Sequence, residues 1–225
     1  MSFLTTAWVV LLKDLRAELR TREIVLTTVL FAVLVVLLAA FAFGLGAGSA
    51  GEAAAGVLWI AVAFAGILAL SRTYLREREF GVWTAMLMSP APRAALYLGK
   101  VLGVTLFLLL AEIVLVPVID LLFRARLLAN IGPLAPILVL GTIGYAAAGC
   151  LFAAMTIRTR LRDLLLGVLL FPLVSPVLIF AIKGTRAVTD GGGMAALAEW
   201  LPFIAIFDAV FLVGGLWLFG VLMED

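Results

Sequence analysis

Histidine is absent from this chain and cysteine occurs once, as Cys150. The first absence excludes imidazole metal sites, imidazole general bases and His-ligated haem. The second excludes an intrachain disulfide and leaves no oxidative-folding signature. Charge is scarce as well. Only 13% of the 225 residues are Asp, Glu, Lys or Arg, about half the roughly 25% of soluble domains. A formal net charge of +2 gives no footprint for nucleic acid. No G-x-x-x-x-G-K-[ST] stretch is present, because Gly99-Lys100 is followed by Val101 and position 94 is Ala. A phosphate loop is therefore excluded, and any ATP used with this chain is bound by another. Serine and cysteine triads fail for want of His. Cys150 and the carboxylates show no metal-site spacing, so no metal is expected.

What is abundant is apolar: 65% of the residues are hydrophobic. A hydrocarbon core about 30 Å thick takes roughly 20 such residues per helix. The chain reads as an all-α polytopic membrane protein with spans at 24–43, 53–70, 96–118, 133–155, 164–182 and 200–222. Helices are required because lipid offers backbone amides no partner. The alternation of a membrane barrel is missing from "VLFAVLVVLLAAFAF". Gly48-Ser49-Ala50 imitates a signal cleavage site, but the run before it, Ile24 to Phe43, is longer than a signal's 7–15 apolar residues, so an uncleaved span is expected.

Lys and Arg in short loops set orientation. With the N-terminus inside, eleven fall on inner segments and four, Arg124, Arg126, Lys183 and Arg186, on outer ones. Both termini are expected in the cytoplasm, with Lys100 in the first turn of span three snorkelling inward. Residues 1–23 are too charged to span. Trp8, Leu11, Leu12, Leu15 and Leu19 share a helical face that Lys13, Asp14, Arg16, Glu18 and Arg20 avoid. The pattern predicts an amphipathic helix in the inner interface, its arginines near anionic headgroups. Residues 183–199, with "DGGG" at 190–193, read as the longest outer loop.

Three acids lie within or at the ends of spans: Glu112, Asp120 and Asp208. Such groups face a bundle interior or a water-filled cavity. Either they line a proton or ligand path, or they are protonated or hydrogen-bonded acids that fix packing. For Glu112 and Asp208 the second reading is favoured, since no Lys or Arg faces them at that depth. Gly141, Gly144 and Ala148 form a small-residue stripe that permits close helix contact, within the chain or between subunits. Pro172 and Pro176 each remove a backbone hydrogen bond and predict a bent element in span five.

The segment "RTYLREREFGVWTAMLMSPAPR", 72–93, breaks the apolar pattern. Arg72 to Glu79 continue span two as a charged helix that Gly81 ends. Val82 to Met88 are one or two turns, too short to span, and Ser89 to Pro92 turn the chain into span three. Phe80, Trp83, Met86, Leu87 and Met88 form an apolar patch that lipid or protein must cover.

A charged exit from span two, a short apolar helix and a Pro-x-Pro turn resemble the coupling element of ABC-2-type export permeases, as do the six spans and the N-terminal helix. More narrowly, "LWIAVAFAGILALSR" (58–72), "LMSPAPRAALYLGKVLG" (87–103), Pro117 and "LLFPLVSPVLIFA" (169–181) are similar to the CcmB family, haem exporter B of cytochrome c maturation. The likeness covers essentially the full length, with most of its specificity in 87–103 and 169–181.

The resemblance implies a non-enzymatic permease subunit of the bacterial inner membrane. Its partners would be a cytoplasmic ATPase (CcmA) that binds ATP and Mg, a haem-handling membrane protein (CcmC), the small CcmD and the periplasmic haem chaperone CcmE. It implies that the loop between spans two and three seats in a groove of the ATPase. Arg76, Glu77, Glu79 and Arg93 would give polar contacts and Phe80, Trp83, Met86 and Leu87 would fill the groove around Gly81. No cofactor is expected on this chain: without imidazole only Met or Cys side chains remain for haem iron, and the six Met do not cluster on the outer face. Force transmission is expected rather than haem binding. The alternatives are a generic ABC-2 exporter of lipid, drug or polysaccharide, and a passive membrane scaffold.

Overall fold

A computed structural model describes residues 2–43, 50–79, 81, 88, 91–156 and 162–222. Among them no strand occurs. The helices are α1 (Phe3–Thr21), α2 (Glu23–Phe43), α3 (Ala50–Glu79), α4 (Arg93–Phe123), α5 (Ile131–Thr156), α6 (Arg162–Ala187) and α7 (Gly193–Leu222). Helices α2 to α7 are the long apolar ones. Five stretches are long and apolar enough to cross a membrane, and the last of them runs 55 residues, from Leu166 to Gly220. At 1.5 Å per residue one helix of that length would reach about 80 Å. It contains α6 and α7, which fold back on each other, so six helices of spanning character form a bundle. The chain is a multi-pass membrane protein.

Local chemistry fixes the corners. Ser2 caps α1, its hydroxyl accepting the Thr5 amide at 3.3 Å. The helix stops at Arg22, which turns left-handed (φ 54°) and donates its amide to the Glu18 carbonyl. The Glu18 carboxylate then accepts the Val25 amide at 2.8 Å, satisfying an orphan donor in the first turn of α2. At the far end of α4 the Asp120 carboxylate accepts the Leu127 amide at 2.6 Å and closes the turn toward α5. Asp120 thus holds a loop in shape.

The expected loop at 183–199 is almost wholly helical. Helix α6 runs to Ala187, a single π turn covers Val188–Gly192, and α7 starts at Gly193. The reversal is made by Gly191 (φ 102°) and Gly193 (φ 50°), conformations that cost a side chain steric energy. The "DGGG" signal therefore marks a tight reversal in place of a long loop. Span five, expected to bend at its prolines, is α6, one helix with Pro172 and Pro176 inside it. Pro176 cannot donate to the Pro172 carbonyl four residues back. The Ser175 hydroxyl donates to that carbonyl instead, at 2.8 Å.

Helix α5 lies at the centre, against α3, α4, α6 and α7. Its small-residue stripe is used within the chain: Gly141 seats the Trp59 ring of α3, and Gly144 lies against Asp208 of α7. The Trp59 indole N–H donates to Thr185 Oγ1 of α6 at 3.0 Å. All three tyrosines are buried and donate to backbone carbonyls on neighbouring helices. Tyr74 reaches Cys150 O (3.1 Å), Tyr145 reaches Ala63 O (2.7 Å), and the Tyr97 hydroxyl is shared between Ala147 O and Phe211 O, both at 3.0 Å. In lipid, where helix association gains little from apolar burial, close contacts and such interhelical bonds hold the bundle.

A methyl group at Gly141 would press into the Trp59 ring, whereas nothing lies within 4 Å of one at Gly56. Gly141→Ala is expected to destabilise the purified protein by about 1–3 kcal/mol through overpacking, and Gly56→Ala to leave it unchanged or slightly firmer. Thermal unfolding in detergent checks the contrast; equal melting temperatures would refute the packing.

Candidate functional site

The charged end of the bundle is where α1, the extension of α3 and the start of α4 converge. The approach of α1 to α4 depends on Gly99, while Gly103 has room for a side-chain carbon. A Cβ at Gly99 would lie 2.7 Å from Val10 Cβ and 2.8 Å from the Ala7 carbonyl oxygen, and one at Gly103 would lie 3.6 Å from Asp14 Oδ2. Helix α1 therefore turns Ala7, Val10, Asp14 and Glu18 onto the bundle, while Leu4, Trp8 and Leu19 stay exposed. Of the expected apolar ridge, Trp8 and Leu19 are exposed and Leu11, Leu12 and Leu15 are half-buried. The acids opposite are not solvated; two of them enter the protein.

At the centre is Lys100, 1% exposed. The expectation that it snorkels to water is wrong, because two acids come to it. Its Nζ lies 2.6 Å from Asp14 Oδ2 and 2.5 Å from Glu77 Oε1. Lys13 Nζ meets the same pair, at 2.7 Å from Asp14 Oδ1 and 2.7 Å from Glu77 Oε1. Each acid thus touches both lysines, making a closed ring of four charges with no net charge. The Tyr74 ring lies 5.9 Å from the Lys100 ammonium and adds a face of π density. Burial pushes the Asp14 carboxyl up, but the Lys100 and Lys13 ammoniums and their hydrogen bonds outweigh this and hold it below its ordinary 3.8.

The residues expected to touch an ATPase divide in two. Glu77 is buried in the ring and cannot serve an outside contact. Arg76 is turned to α1, its guanidinium 3.4 Å from both the Ala17 carbonyl and the Thr21 hydroxyl, where it also meets the negative end of that helix. Gly81 lies in a left-handed turn (φ 65°) just past α3, its amide donating to the Arg78 carbonyl, which is the helix stop its residue type implies. Arg93 opens α4 and is half-buried, and Met88 is 78% exposed. Phe80, Trp83, Met86 and Leu87 lie outside the described residues, as does the side chain of Glu79.

Glu112 and Asp208 face the bundle interior from α4 and α7, both against α5. The Thr142 hydroxyl donates to Glu112 Oε1, while Glu112 Oε2 and both Asp208 oxygens are buried without partners. Among the described residues these two acids are joined neither to the ring at the charged end nor to each other. Lys13, Asp14 and Lys100 were missed as site residues by sequence reasoning. The available signal was a lysine inside an apolar run, which must find an acid if it cannot reach water.

Residues 5–218 match the family described as CcmB protein. Proteins named Heme exporter protein B are similar along most of their length. That of Bradyrhizobium diazoefficiens is 32% identical over 179 residues, 80% of each chain. That of Pseudomonas aeruginosa is 33% identical over 147 residues, 65% of each. That of Paracoccus denitrificans is 31% identical over 199 residues, 87% of this chain and 88% of the relative.

Removing one member of a buried charge ring strands the others. Lys100→Met is expected to cost about 3–5 kcal/mol, read as a lower unfolding midpoint, whereas Arg72→Met, which loses only an exposed 3.3 Å pair with Glu23, costs under about 1 kcal/mol. Since the folded-state value of Asp14 is depressed, its contribution is complete above 3.8 and disappears as pH falls through the lower folded value. Helix α1 is expected to resist pepsin at pH about 4 and to become cleavable at pH about 2; cleavage that is the same at both would argue against the ring as its anchor.

Proposed function

The chain belongs to the CcmB family, and on that premise we propose that it is the permease subunit of a haem exporter whose energy comes from a separate ATPase. The name shared by its relatives supports haem export as the process. The observation that carries the mechanism is the four-charge ring of Lys13, Asp14, Glu77 and Lys100. It ties α1, α3 and α4 together immediately beside the segment 80–92 that links α3 to α4.

In this reading the apolar residues Phe80, Trp83, Met86 and Leu87 seat in the ATPase (CcmA) on the cytoplasmic side, with Glu79, Arg78 and Arg93 around them. Nucleotide binding moves the segment. Because the ring joins both of its flanking helices to α1, the displacement passes into α3 and α4 as one body and does not dissipate in a hinge. Helix α1, with Leu4, Trp8 and Leu19 outward, slides in the inner interface as the block moves. Helices α5 to α7 rearrange against α4, and this drives haem export or the release of haem-loaded CcmE from the assembly with CcmC and CcmD. Such coupling requires that the segment bind one ATPase state better than another.

Trp83→Asp is expected to weaken co-purification of the ATPase by about 10- to 100-fold, as loss of an aromatic anchor does. Glu77→Gln is expected to keep the ATPase bound while the yield of c-type cytochromes falls. Isolation of the native protein from membranes with no ATPase attached would end this reading.

A further inference from the structure

One face of the charge ring looks into a cavity of about 310 Å³ between α1, α2, α3 and α4. Its wall is partly polar and partly apolar: Lys13, Thr73, Arg76 and Glu77 on one side, Ile24 and Phe107 on the other. Two polar atoms in this wall are buried without partners, Thr73 Oγ1 and Glu77 Oε2, on side chains 5% and 4% exposed. A buried hydroxyl on a helix and a buried carboxylate oxygen are normally bonded, and leaving them bare costs desolvation energy. Donor capacity is spare as well. Among the described residues Lys13 uses two of its three N–H groups, on Asp14 and Glu77, and Arg76 makes two hydrogen bonds, both long at 3.4 Å.

We propose that this cavity is a binding site for the headgroup of an aminophospholipid, a phosphate ester carrying a primary ammonium. The phosphate takes the remaining donors of Lys13 and Arg76 and the Thr73 hydroxyl. The ammonium gives an N–H to Glu77 Oε2. The ring itself is neutral, so Arg76 leaves the wall with one positive charge, matched to a phosphate. A headgroup with a phosphate and no ammonium would use the donors of Lys13 and Arg76 but leave Glu77 Oε2 bare. A quaternary choline carries the same charge as a primary ammonium but has no N–H to give. Ile24 and Phe107 give the cavity an apolar side against which the glycerol and first acyl carbons of a lipid can lie, a surface that a free phosphate does not use. The site stands on these atoms alone and is independent of the ATPase reading.

The test is native mass spectrometry of the full chain taken from nanodiscs holding equal phosphatidylethanolamine and phosphatidylcholine with identical acyl chains. Phosphatidylethanolamine is expected to be retained about 3- to 10-fold over phosphatidylcholine, the net worth of one ordinary hydrogen bond. Thr73→Val, which keeps the side-chain shape, and Arg76→Gln should each reduce that retention without lowering the melting temperature to that of Lys100→Met. Equal retention of the two lipids by the unaltered chain overturns the proposal, as does a phosphatidylethanolamine retention untouched by both substitutions. Displacement of the lipid by inorganic phosphate alone would make the cavity a phosphate site and overturn the lipid assignment.

Discussion

An ammonium group with no access to water dictates the arrangement of the charged end. Lys100 sits in an apolar helix at a depth where an unpaired charge is expensive, and three helices are arranged around the need to neutralise it. Asp14 comes from α1, Glu77 from the extension of α3, and Lys13 balances the two acids. The consequences spread outward. Helix α1 must lie close enough to α4 for Gly99 to be needed, and it must show its polar side to the protein. Helix α3 must continue beyond its apolar stretch, to Glu79, so that Glu77 can reach back. A ring of this kind adds little net stability over well-packed apolar residues, but it fixes which helices meet and in what register.

The upper bundle is held in a different way. Trp59, Tyr97 and Tyr145 each carry one polar atom to a neighbouring helix, and the Arg186–Glu52 ion pair there, at 3.3 Å, is an exposed one. Glu112 and Asp208 are the exceptions: acids in the interior, one bonded to Thr142 and the other bare among the described atoms. Their positions against α5, beside the tight Gly144 contact, place them where α4 and α7 would shift relative to the central helix.

Much of this was legible in the sequence, because hydropathy reports directly on the number and rough limits of membrane helices. The small-residue stripe at Gly141 and Gly144 was legible as a close contact, though only coordinates assign it to Trp59 and Asp208. The apolar ridge on α1 was legible too. Its polar side was misread, since periodicity distinguishes apolar from polar faces but cannot tell a solvated acid from one paired with a lysine 86 residues away. The same limit hid the role of Glu77. The reversal at 188–193 was misjudged for another reason: three glycines in a row signal a loop by composition, while two of them serve a single tight turn between helices. Pro172 and Pro176 read as breaks because the rule counts lost donors, and Ser175 restores one.

The distance along the chain between Asp14 and Lys100 also orders events during synthesis. At about 5–20 residues per second, Lys100 leaves the ribosome roughly 4–17 s after Asp14. For that interval Asp14 has Lys13 beside it but not Lys100, and the first helix rests on the membrane surface through Leu4, Trp8 and Leu19. The segment translated first is therefore among the last to be secured, and a nascent chain stalled before its third crossing is born with its front end adrift.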